Sequence, residues 1–190
     1  MVKIAVLGYG TVGSGVVEVF ETNRASISRK AGEEIEIKYV LDLRDFPGDP
    51  VEKKLVHDYG VIVEDPEIQV VVETMGGLKP AYEFTKQALQ AGKSVCTSNK
   101  ELVAQHGAEL MKIAREKQVN YLYEASCGGG IPIIRPLNSS LTADEIDEIS
   151  GILNGTTNYI LTKMASDGTD FETALHEAQA KGYAERNPEA

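Results

Sequence analysis

Apolar residues recur along this chain in two patterns, short unbroken runs and stripes at helical spacing. Lys3-Ile4-Ala5-Val6-Leu7 is a run of the kind shown by a strand buried on both faces. Beyond a glycine-rich turn, Val16, Val17, Val19 and Phe20 keep helical spacing and predict a helix that fades near Asn23. Residues 26–34 are polar and read as an exposed loop. A second strand is expected over 36–41, with alternating character. After the turn-rich Phe46-Pro47-Gly48-Asp49-Pro50 come a short helix (51–59), a minor strand (61–63) and a one-turn helix start at Asp65-Pro66-Glu67. Residues 69–74 read as a strong buried strand, and Lys79-Pro80 opens a helix to about Ala91, stopped by Gly92.

The alternation continues with a strand (94–97), an amphipathic helix (102–116) and a strand (119–123). Ser98 and Glu101 are placed to form a capping box for the helix. Strand and helix in strict alternation predict a doubly wound parallel α/β sheet. The order then changes. Residues 124–132 form a glycine cluster that runs into a helix, with Pro132 near its first position. A strand is expected over 146–153, a helix from about Tyr159, and a helix opened by Thr169-x-x-Glu172 and closed by Lys181-Gly182. We therefore expect a nucleotide-binding Rossmann domain over 1–127 and the start of a second, α+β domain over 128–190.

Chemistry enters with the first turn. Gly8-Tyr9-Gly10-Thr11-Val12-Gly13 is G-x-G-x-x-G between a strand and a helix. Gly8 allows the tight turn, Gly10 lets backbone approach a pyrophosphate, and Gly13 lets helix and strand pack closely. The free N–H groups and positive dipole end of the helix then face the phosphates. Asp42 stands just past the second strand, where an acid accepts bonds from ribose hydroxyls, and nearby Arg44 would suit a 2′-phosphate. The acid points to NAD and the arginine to NADP. Met75-Gly76-Gly77 ends a buried strand at the sheet edge where ligands bind. Lys100 sits near a helix N-terminus, where the dipole disfavours a cation, which suggests a functional reason for the charge. Three successive glycines, 128–130, suit either a cleft floor or a hinge. Asn154-Gly155-Thr156-Thr157-Asn158 joins a strand to a helix and suits a polar ligand or a plain cap equally. His106 reads as an ordinary helix-surface residue.

Composition narrows the partners. The 190 residues are 42% hydrophobic with a net charge of −10, so a packed core is expected and disorder is not. The acidic balance argues against nucleic acid and anionic membrane. No run reaches the length of a membrane span, and the short, glycine-interrupted apolar start is not a signal peptide. Cys96 and Cys127, not paired as C-x-x-C, suit a reducing cytoplasmic compartment.

GYGTVG, ETMGG, TSNKELVA, EASCGGGIPIIRPL, GILNGTTNYILTKM and GYAE together resemble homoserine dehydrogenases, with that family's spacing from the first residues nearly to the last. The resemblance implies NAD(P)-dependent interconversion of L-homoserine and L-aspartate 4-semialdehyde, in threonine and methionine biosynthesis. It implies a homodimer of the full-length protein. It also implies that Thr11, Val12 and Gly182 join the glycines at the cofactor, and that Lys100 lies by nicotinamide and substrate in a supporting catalytic role. Glu185 would bind the homoserine amino group, with Asn154, Gly155 and Thr156 in the substrate loop. Glu124, Cys127, Gly129 and Ile131 match a segment that holds a monovalent cation such as sodium, largely through backbone carbonyls. A nucleophilic role for Cys127 is disfavoured because no histidine is placed to activate it. The family pattern continues past GYAE to a substrate-binding Asp and an acid/base Lys, whereas this sequence ends at Ala190. The expectation is a fragment of low turnover. A non-catalytic NAD(P)-binding regulatory or interaction module is the alternative.

Overall fold

The computed structural model describes residues 1–152 and 154–184. They fall into two compact units, Met1–Leu141 and Thr142–Ala190.

In the first unit, β1 (Val2–Leu7) lies at the centre of a six-stranded sheet of order β3-β2-β1-β4-β5-β6. Its companions are β2 (Ile35–Leu41), β3 (Leu55–Val56), β4 (Ile68–Glu73), β5 (Ser94–Thr97) and β6 (Tyr121–Leu122). Every pairing is parallel. The chain leaves β1 toward β2 on one side and later returns to β4 on the other. The carboxyl end of β1 is therefore the switch point of a doubly wound sheet. Alternation along β1 feeds both faces. Ile4 and Val6 pack with Val17 and Phe20 of α1 (Thr11–Ala31). Ala5 and Leu7 share the opposite core with Ala88 and Leu89 of α3 (Ala81–Gln90), and with Leu102 and Leu110 of α4 (Lys100–Glu116). A strand buried on both faces must be apolar on both, as the buried Ile4–Leu7 stretch of β1 is, with Lys3 at the rim.

Several local expectations are corrected. The first helix does not fade at Asn23 but continues to Ala31, where Gly32 takes a left-handed φ of 80°. The polarity of residues 26–31 marks an exposed helix face, not a loop, and Ile27 still packs on the core. Between β2 and β4 the expected helix over 51–59 is cut short, and the stretch expected as a strand over 61–63 is helical. A 3₁₀ turn at Pro50–Lys54, capped by Asp49, leads into β3, and the helical turn α2 (Gly60–Val63) follows. Short apolar runs do not distinguish the two states, and β3 exists because β2 offers it a partner. The expected strand over 119–123 contracts to β6.

Caps shift by one residue. Asn99, not Ser98, caps α4, its Oδ1 accepting from the N–H of Leu102 at 3.0 Å. The first unit then runs past the Cys127–Gly128 boundary read from the sequence. It includes α5 (Glu124–Cys127) and α6 (Ile134–Ser140), ending at Leu141.

The second unit pairs α7 (Gly155–Asp167) with α8 (Phe171–Ala180) around buried Ile160, Ala174 and Ala178. α7 starts at Gly155, before the expected Tyr159, because Asn154 caps it. Asp170, not Thr169, caps α8. Residues 146–152 form no strand, and Ile146, Ile149 and Ile152 stand exposed, because a strand requires a ladder partner. Leu153, the last residue of that expectation, lies outside the described residues. No described helix is long and apolar enough to cross a membrane.

The two-faced core makes a direct prediction. Leu110→Ala, at a fully buried position on α4, should lower unfolding stability by about 2–5 kcal/mol. Val19→Ala, on the exposed face of α1, should stay within about 0.5 kcal/mol. Urea denaturation of both variants measures the difference.

Candidate functional site

The glycine turn closes the carboxyl end of β1. Gly8 has φ +93° and donates its N–H to the Leu41 carbonyl at 2.8 Å, tying the turn to β2. A Cβ on Gly13 would lie 1.9 Å from the Gly8 carbonyl oxygen and 2.8 Å from Thr74 Oγ1, so helix and strand can meet there only at glycine. Thr74, just past β4, fastens the same point, its hydroxyl donating to the Leu7 carbonyl at 2.9 Å and the Gly8 carbonyl at 3.1 Å. At Gly10 a Cβ would meet nothing within 4 Å, so that backbone borders open space. No side chain caps α1 at Gly10, and the N–H groups of its first turn, including Thr11 and Val12, are left for a ligand.

Asp42 and Arg44 form one assembly at the end of β2. Asp42 accepts from Tyr9 N–H at 2.8 Å and from Arg44 N–H, Nε and Nη2 at 3.0 Å each. The Arg44 guanidinium foremost, with these backbone N–H groups, holds the Asp42 carboxyl well below the usual carboxylate range. The acid is turned inward, its side chain 9% exposed, while that of Arg44 is 61% exposed. Arg44 also donates to the Tyr9 carbonyl at 3.2 Å and lies over the Phe46 ring at 5.1 Å. His57 joins the rim, its Nδ1 2.7 Å from the Asp42 carbonyl oxygen.

These groups surround a cavity of about 540 Å³. Gly8, Gly10, Asp42, Arg44, Met75 and Gly76, all expected at a cofactor, line it together. The floor includes the stacked rings of Tyr59 and Phe84, 4.0 Å apart, which sequence inspection missed. Thr74 was missed as well, although its place beside Met75-Gly76 is a usable signal. Val12 borders a second cavity of about 410 Å³ with Thr74, Ser98, Glu124 and Arg135. Lys100 opens α4 beyond β5, exposed, at the same carboxyl edge of the sheet.

The 124–132 segment is built differently from its side-chain pattern. The Glu124 carboxylate accepts from the N–H groups of Ile133 at 2.5 Å, Ile134 at 2.8 Å and Arg135 at 2.8 Å. These bonds, that of Ile133 first, keep its pKa below the ordinary glutamate value. Its side chain therefore caps α6. Gly129 has φ +59°, Cys127 and Ile131 are exposed, and Ile131 N–H donates to the Gly128 carbonyl at 3.0 Å. Among the described residues no group of three or more His, Cys, Asp or Glu could hold a metal ion.

In the second unit, Asn154 Oδ1 accepts from Thr157 N–H at 2.9 Å. The Thr156 hydroxyl donates to the Tyr183 carbonyl. Tyr159 meets Tyr183 edge-on at 5.2 Å, and Gly182 has φ +74°. Gly155, Thr156 and Tyr183 thus share the wall of a cavity of about 550 Å³, which brings the first turn of α7 against the 182–184 turn. Glu185 lies outside the described residues.

A parallel sheet of order 3-2-1-4-5-6 with a glycine turn under an uncapped helix defines the dinucleotide-binding α/β proteins. The model of the homoserine dehydrogenase NAD-binding domain matches residues 8–124, and that of homoserine dehydrogenase itself matches 132–190. The chain is 47% identical to a homoserine dehydrogenase of Synechocystis over its whole length, and 43% identical to one of Pseudomonas aeruginosa over 98% of it. A homoserine dehydrogenase structure from Thiobacillus denitrificans superposes with a TM-score of 0.90 at 42% identity, over 98% of this chain and 44% of that one. A hyperthermophilic archaeal homoserine dehydrogenase in complex with NADPH superposes at 0.82 with 29% identity, over 98% of this chain and 63% of that one. This chain belongs to the homoserine dehydrogenase family. It spans about 44% of the length of the Synechocystis relative and 43% of the Pseudomonas one.

The two glycines should separate packing from binding. Gly13→Ala should destabilise the fold by about 1–3 kcal/mol through overpacking on Gly8. Gly10→Val should leave the melting temperature near that of the parent but weaken NADPH binding by about tenfold or more, by filling the space a phosphate needs. Thermal melts and NADPH fluorescence titrations of both variants check this.

Proposed function

We propose that this chain supplies the cofactor site and the opening part of the substrate site for oxidation of L-homoserine to L-aspartate 4-semialdehyde, or the reverse. The observation that carries the reading is the single cavity in which the glycine turn, Asp42–Arg44 and the β4 loop converge. When bound, the nicotinamide accepts or returns a hydride at its C4. The chain's own groups position the reactants. The α1 N-terminus takes the pyrophosphate, and Lys100 places a cation at the carboxyl edge of β5, suited to a developing alkoxide. The 154–158 and 182–185 segments take the amino acid, with Glu185 on the ammonium group. The alternative of a binding module without catalysis gains no support from the relatives, which are homoserine dehydrogenases on both sides of residue 128.

The cofactor reading extends to NADP over NAD. Both Asp42 oxygens are engaged by Arg44 and the Tyr9 amide, which leaves the acid poorly disposed to take ribose hydroxyls. The Arg44 guanidinium, stacked on Phe46 and exposed, suits a 2′-phosphate. A monovalent cation fits the 124–131 segment better than a divalent one. With the Glu124 carboxylate spent on three N–H groups, the donors there are neutral carbonyls. The two free cysteines suit the reducing cytoplasm, and a homodimer is the expected assembly of the whole protein.

Arg44→Ala should weaken NADPH binding about tenfold or more and change NADH binding less than about threefold. Paired fluorescence titrations measure the ratio, and equal losses would remove Arg44 from cofactor selection. The activity itself is tested with L-homoserine and NADP by following the absorbance of reduced nicotinamide. The test uses the chain and a version extended by the family's next helix. Turnover should rise on extension, and its continued absence would overturn the enzyme assignment.

A further inference from the structure

One fully buried ionisable group borders the second cavity, with Val12, and has been given no role so far. Glu73 ends β4 at the centre of the sheet with no solvent exposure. Burial pushes its carboxyl pKa upward. An ionisable group so placed is costly unless its hydrogen bonds are met. Here they are met by the loop after β4 and by the neighbouring strand β5. Oε1 accepts from Met75 N–H at 2.7 Å, in the turn that follows β4. Oε2 accepts from the Thr97 hydroxyl at 2.5 Å, across the sheet where Glu73 pairs with Thr97.

The connection continues on the far side. Thr97 Oγ1 accepts from Asn99 N–H at 3.0 Å, and Asn99 Nδ2 donates to the Gly77 carbonyl at 2.6 Å. The chain of bonds thus leaves the β4 loop at Met75, passes through Glu73, Thr97 and Asn99, and returns to the same loop at Gly77. Asn99 is also the cap of α4, whose first residue is Lys100. The position of Lys100 therefore follows from the same ring. A carboxylate offers one acceptor oxygen to Met75 N–H and the other to the Thr97 hydroxyl, whose own oxygen already accepts from Asn99. Glutamine would turn a donor toward one of them.

The sheet order divides the cofactor between two sides of β1. The β2 side, with Asp42 and Arg44, lies on one hand and the β4–β5 side on the other. We propose that Glu73 is a positioning residue that joins the β4 and β5 loops into one rigid wall for the half of the dinucleotide remote from Arg44. The inference rests on the cofactor reading given under the proposed function.

The test compares two probes on the intact chain. NADPH reaches both sides, whereas 2′,5′-ADP reaches only the Arg44 side. Glu73→Gln and Thr97→Val should each weaken NADPH binding by about tenfold, and the double variant by clearly less than the product of the two, because both lose the Glu73–Thr97 bond. Binding of 2′,5′-ADP should stay within about twofold of the parent, which a general loss of structure would not permit. Thr97→Ser keeps the hydroxyl and should restore NADPH affinity. Thr97→Val keeps the β-branched shape of the strand and guards against a variant that fails to fold. Unchanged NADPH affinity in both single variants, additive losses in the double variant, or parallel loss of both probes overturns the proposal while the cofactor reading stands. A parent chain that binds neither probe overturns both.

Discussion

The first turn of α1 rests directly on the carbonyl that ends β1, and a residue with any side chain at Gly13 would force them apart. That contact sets where the helix N-terminus points. It also brings Thr74, the residue after β4, within bonding distance of the Leu7 and Gly8 carbonyls. The central strand, its helix and its neighbour are thereby locked at one point, the switch point of the sheet. The cavity opens there because the chain diverges there, toward β2 in one direction and β4 in the other. Burial of β1 on both faces supplies the rigidity against which this contact is held.

Electrostatics then distinguishes the two sides of that point. On the β2 side the acid is buried beneath the base. Asp42 organises Arg44, the Tyr9 amide and, through its carbonyl, His57, so the group presented outward is a cation although the chain as a whole carries −10. On the β4 side Glu73 performs a comparable inward task, accepting from a loop amide and from a hydroxyl of β5 instead of from a cation. Carboxylates at a ligand edge are commonly taken for ligand contacts. Asp42, Glu73 and Glu124 all turn their oxygens to protein N–H or O–H donors, and each fixes a loop or helix end.

Local features of the sequence failed where stability comes from partners remote along the chain. The 55–56 and 60–63 stretches are apolar and short, and which became strand was decided by the free edge of β2. Residues 146–152 carry regularly placed isoleucines yet make no ladder within the described residues. The polar stretch after Asn23 remained helical because nothing in it breaks a helix before Gly32.

Residue types and their spacing were enough to read the sheet class, the glycine turn, the convergence of Gly8, Gly10, Met75 and Gly76, and the family. Those features depend on residue types with few physical alternatives at fixed spacing, such as a glycine where no Cβ fits. Tertiary structure alone decided that Asp42 faces inward and Arg44 outward, and that the Glu124 carboxylate caps a helix. It alone decided that Glu73, Thr97 and Asn99 form one ring. A hydrogen-bonding side chain can serve any donor or acceptor within reach, and which one it meets depends on how strands and loops distant in sequence come to lie together.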